Sequence, residues 1–98
     1  MSAPVELLRR RFDMVARLSE ITSRLQKFQQ ARMSAEMDAQ RCEMAGGDHT
    51  SELSEARARA EAADEGAAAC EAEIAKVEAG LDETDREIAA QAGGRASL

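Results

Sequence analysis

The sequence predicts an all-α fold, an antiparallel two-helix coiled-coil hairpin that associates into a helical bundle as an oligomer. Three observations carry this expectation. Apolar residues recur at alternating steps of three and four down each half of the chain, and a Gly46-Gly47 pair separates the halves. The 98 residues also hold two aromatic side chains, Phe12 and Phe28, too few for a compact globular core. Abundant Ala, Glu and Arg with a single proline match long-helix composition, and no stretch alternates as a strand would.

Helix one is expected over about residues 4–45. Pro4 suits a first turn, where its missing N–H has no intrahelical acceptor. The seam of this helix is Leu7, Arg11, Met14, Leu18, Ile21, Leu25, Phe28, Arg32, Ala35, Ala39 and Cys42. A loop over about 46–50 follows, because Gly46 can adopt the left-handed conformation that closes a helix and Gly47 weakens any continuation. Asp48, Thr50 or Ser51 can cap the next helix by accepting a hydrogen bond from a first-turn N–H.

Helix two is expected over about 51–91, ahead of Gly93-Gly94, with residues 92–98 as a flexible tail and 4–91 as the hairpin proper. Its seam is Leu53, Ala56, Ala60, Ala63, Ala67, Cys70, Ile74, Val77, Leu81, Thr84 and Ile88. Gly66 and Gly80 interrupt it, each costing about 1 kcal/mol relative to Ala, so this helix depends on packing more than on propensity.

Laid antiparallel, the two seams coincide layer by layer: Leu7 with Ile88, Met14 with Leu81, Ile21 with Ile74, Phe28 with Ala67, Ala35 with Ala60. The numbers in each layer sum to 95. Flanking charges choose the same register, setting Arg10 beside Glu87, Arg24 beside Glu73, Asp38 beside Arg59 and, on the other side, Glu36 beside Arg57. Exposed pairs of this kind contribute about 0–1 kcal/mol each, so they select orientation rather than supply stability. Size agrees too, since bulky Phe28 faces Ala67 and small Ala35 and Ala39 face Ala56 and Ala60.

A formal net charge of −6 argues against free nucleic acid as the main partner. The charge is unevenly spread: residues 1–32 carry seven basic and three acidic side chains, residues 71–91 two basic and seven acidic. These stretches lie side by side in the hairpin and partly neutralise each other. No apolar run is long enough for a signal peptide or a bilayer span, so a cytoplasmic protein with no membrane association is expected. Cys42 and Cys70 fall roughly 25 Å apart along such a hairpin at 1.5 Å rise per residue, too far to bridge within one chain, and both serve as small seam hydrophobes.

A second apolar stripe holds the most functional content. Val5, Leu8, Phe12 and Val15, continued by Ser19 and Thr22, repeat at three-four spacing on the shoulder of helix one. They either widen the seam or form a docking face for another protein or another copy, and docking is the preferred reading. Met33, Met37 and Met44 make a smaller group that is either a partner surface or a scatter of exposed methionines. Arg9, Arg10 and Arg17 could track phosphates if an oligomer stacked many N-termini, although no aromatic is interleaved to stack on bases. His49, the single histidine, reads as a solvated loop residue.

Neither a zinc ligand set nor a nucleophile with its base can be assembled from these residues. We therefore expect no catalytic residues, no cofactor and no metal, and a protein that is not an enzyme. In shape, such a hairpin resembles small helical proteins of bacterial type III secretion systems and the oligomerising middle region of phage-type small terminase subunits. That likeness spans the whole chain and rests on no particular residue. The first implies a small adaptor or chaperone-like subunit that binds a protein partner or itself, as a dimer or higher homo-oligomer. The second implies a ring-forming subunit that handles DNA during packaging.

Overall fold

In the computed structural model, which describes residues 3–96 and the side chains of 4–93, the chain folds as two long antiparallel helices packed together. Helix α1 spans Ala3–Met44 and helix α2 spans Thr50–Ala96. Residues 45–49 connect them. Met1, Ser2, Ser97 and Leu98, the last two belonging to the expected tail, lie outside the described residues. No helix among those described is long and apolar enough to cross a membrane.

Both ends of the connection follow from local chemistry. Gly46 and Gly47 take φ of 69° and 81°, a region where a Cβ is strained, and the last helical bond beyond α1 runs from Ala45 N to Arg41 O at 3.0 Å. The carbonyl of His49 accepts the first bond of α2, from Leu53 N at 2.9 Å. Asp48 supplies the cap: its Oδ1 accepts from Thr50 N at 3.2 Å and from Thr50 Oγ1 at 2.8 Å. These two donors hold the Asp48 carboxyl below its ordinary range, the hydroxyl contributing most. At the far end α2 continues past residue 91 to Ala96, through Gly93 and Gly94. Glycine lowers helix propensity without forbidding the helix.

The chain divides into two compact units, Met1–Thr22 with Ala72–Leu98, and Ser23–Glu71. In the first, Leu7, Ile21 and Thr84 are buried, while Met14, Leu18, Ile74, Val77, Leu81 and Ile88 are half-buried. The pattern extends one layer beyond the expected seam, for Pro4 and Gln91 are half-buried as well. Met14 occupies space left by two small neighbours. Its Sδ lies 3.8 Å from Thr84 Oγ1, and a Cβ placed on Gly80 would come within 3.2 Å of its terminal methyl.

In the second unit Ala35, Ala56, Ala63 and Cys70 are buried, and Leu25, Phe28, Ala39, Cys42, Leu53, Ala60 and Ala67 are half-buried. Both cysteines are free thiols. The ring of Phe28 rests over Gly66, where an added Cβ would meet three ring carbons, two of them at 2.6 Å. Gly66 is the hole for this knob, the neighbour of the alanine that the register sets opposite it.

Two seam positions depart from expectation. Arg11 and Arg32 are exposed, because a guanidinium remains in water when its stem lies along the seam. Each turns to the acid next after its facing residue. Arg11 Nε donates to Asp85 Oδ1 at 2.8 Å in the first unit; in the second, Arg32 Nη1 lies 2.8 Å from Asp64 Oδ1 and its Nε 2.9 Å from Glu36 Oε1. The Glu36 hydrogen bond, then the Asp64 charge, raise the pKa of Arg32 further.

Candidate interaction surface

Val5, Leu8, Phe12 and Val15 project from α1 within the first unit, and 46%, 57%, 73% and 43% of each is exposed. Steps of three, four and three place all four on one strip of the helix. None of the four is buried. Ser19 and Thr22, exposed on the same strip, end it with polar groups, Thr22 Oγ1 donating back to Leu18 O at 2.8 Å.

On one side the stripe meets α2. Leu8 lines a shallow groove with Pro4, Ile88, Gln91 and Ala92, and the Arg11–Asp85 ion pair crosses to α2 one turn further along α1. Ala92, Asp85 and Glu78 are spaced by seven, with Asp82 among them, so they share the face of α2 that borders the stripe. Glu78 and Asp82 are exposed and have no ion-pair partner among the described residues. On the solvent side, Arg9, Ala16 and Ser23 form the next strip of α1, and Glu6, Asp13 and Glu20 the strip after it. An apolar band with largely acidic margins results.

Met33, Met37 and Met44 lie in the second unit and are 64%, 56% and 85% exposed. They occupy more than one strip of α1 and so form a looser group than the stripe. Of the basic residues singled out in the sequence, Arg9 is exposed, Arg10 Nη1 lies 3.6 Å from Glu87 Oε2, and Arg17 Nη2 lies 3.7 Å from Glu73 Oε2. Arg10 and Arg17 are thus partly neutralised.

The second unit is also laced with ion pairs. Asp38 binds both Arg59, at 3.1 Å, and Arg41 one turn ahead on α1. Arg57 pairs with Glu43 at 3.0 Å, whereas Glu36, its expected neighbour, is taken by Arg32. Arginine stems are long enough to choose the acid a heptad away. His49 is half-buried with Nδ1 3.6 Å from Glu52 Oε2 across the first turn of α2.

Comparison with protein-family models, curated proteins and solved structures finds no match. Among the described residues, no group of three or more His, Cys, Asp or Glu side chains is placed to hold a metal ion. The fold, two long antiparallel helices, is consistent with a protein-interaction type of module. The acidic margin along Glu78 and Asp82 is absent from the sequence expectations, in which the acids of α2 serve as intramolecular partners. Their spacing from Asp85 was the signal that could have exposed it.

Proposed function

We propose that this chain is a non-enzymatic cytoplasmic interaction protein, a small adaptor or chaperone-like subunit that covers a helix of its partner with the Val5–Leu8–Phe12–Val15 stripe. One observation carries the reading: four apolar side chains on one strip of α1 are exposed although a complete seam is packed beside them. Contiguous apolar surface of this kind on a small protein is the usual mark of an interface. A stripe of four anchors at three-four spacing suits a helix laid alongside. Met33, Met37 and Met44 offer adaptable side chains for a second, weaker contact in the other unit.

Affinity capture from the native host, with wild type and Phe12→Asp in parallel, tests the reading. Stoichiometric partners should bind the wild type and be lost from the variant. Equal recovery on both would refute a role for the stripe. Light scattering addresses the terminase-like alternative, since a discrete ring of eight or more subunits would favour collective presentation of Arg9, Arg10 and Arg17 to DNA over the adaptor. The ion pairs of Arg10 and Arg17 with Glu87 and Glu73 weigh against that alternative.

A further inference from the structure

The stripe could be covered by a second copy of this chain, by a neutral helix or by a cationic one. Its margins decide among them. Glu78 and Asp82 border it on α2, exposed and without ion-pair partners among the described residues, and Asp85 joins them with its charge taken by Arg11. On α1 the row Glu6, Asp13 and Glu20 lies beyond the strip that holds Arg9. Of the basic residues in this part of α2, Lys76 falls further round the helix, and Arg86, one turn from Asp82, stands on the adjoining strip without an ion pair among the described residues. A second copy would present the same acidic rows, so self-association sets mostly like charges against each other. A neutral helix would leave them unanswered.

We propose that the occupant of the stripe is a cationic amphipathic helix of another protein, with apolar residues at three-four spacing against Val5, Leu8, Phe12 and Val15 and with Lys or Arg beside Glu78 and Asp82. The proposal rests on the stripe being a docking face and adds the chemistry of what docks. Apolar contact supplies the affinity; the margins set orientation and favour a cationic helix over a neutral or an acidic one.

Two labelled synthetic peptides of eighteen residues test this by fluorescence anisotropy with the full chain, one with a leucine stripe flanked by lysines and one with the same stripe flanked by glutamates. The lysine peptide should bind about tenfold more tightly than the glutamate peptide, as two exposed charge pairs allow. Glu78→Lys with Asp82→Lys should reverse that preference. The matched reversal Glu61→Lys with Glu65→Lys, in the other unit, should preserve it, and Phe12→Asp should abolish binding of either peptide. Equal loss from both double reversals would mean diffuse attraction to an acidic protein and would overturn the proposal. So would a preference for the glutamate peptide, or no preference. If neither peptide binds while the wild type self-associates and Phe12→Asp does not, the occupant is a second copy. The cationic partner then fails while the docking face stands. If Phe12→Asp leaves both peptide binding and self-association unchanged, the docking face itself fails.

Discussion

Two glycines in α2 show how much one hydrogen atom in place of a methyl can decide. Gly66 accepts the Phe28 ring and Gly80 borders the Met14 thioether, and each stands next to the alanine or leucine that the register sets against that side chain. From sequence alone they appear as costs to the helix. Their value lies in the partner helix, which a one-helix propensity argument cannot register. The two should respond oppositely to alanine. Gly66→Ala gains about 1 kcal/mol of helix propensity but overpacks against a ring, at a cost of about 1–3 kcal/mol, so the thermal midpoint should fall. Gly80→Ala gains the same propensity and asks only that a flexible methionine terminus move by a few tenths of an ångström. Its midpoint should rise. In a Phe28→Ala background Gly66→Ala should become stabilising, and that reversal in a double-mutant cycle is the check on the contact.

At the scale of the element, α1 ends at its glycine pair whereas α2 runs on through Gly93 and Gly94, and the seams are the most legible part of the chain. Every expected seam residue other than Arg11 and Arg32 is buried or half-buried, because a run of unbroken three-four spacing leaves one solution for which face turns inward. The cap was less legible. Asp48, Thr50 and Ser51 all have capping side chains, and only the path of the backbone at His49 decides that Asp48 reaches Thr50 N. A prediction about pH follows from its depressed pKa. A carboxyl held low in the folded chain contributes stability that is complete above the ordinary carboxylate range and is lost as pH falls through its folded value. Asp48→Ala should therefore lower the melting temperature at neutral pH, and the difference from wild type should narrow under strongly acidic conditions. A gap that widened on acidification would contradict the cap. Ion-pair partners were only partly legible. Arg10–Glu87 and Asp38–Arg59 follow the register, whereas Arg57 prefers Glu43 because flexible stems accommodate more than one acid.

For the molecule as a whole, the two apolar faces of α1 have different duties. The seam buries Ile21 completely, and the stripe leaves Phe12 73% exposed. Both were visible as periodicities in the sequence. Their difference in exposure was not, since spacing alone does not say whether a shoulder residue folds over the seam or stands clear of it. The acidic margins that give the stripe its proposed preference depend on α2 lying alongside, in the register that the seams specify. Circular dichroism on Phe12→Asp and Ile21→Asp, prepared side by side, tests this division of labour most directly. Ile21→Asp buries a charge opposite aliphatic side chains and should cost more than about 4 kcal/mol, enough to unfold a small hairpin. Phe12→Asp should keep the helicity and melting temperature of the wild type. Loss of helicity in Phe12→Asp, or its retention in Ile21→Asp, would contradict the account.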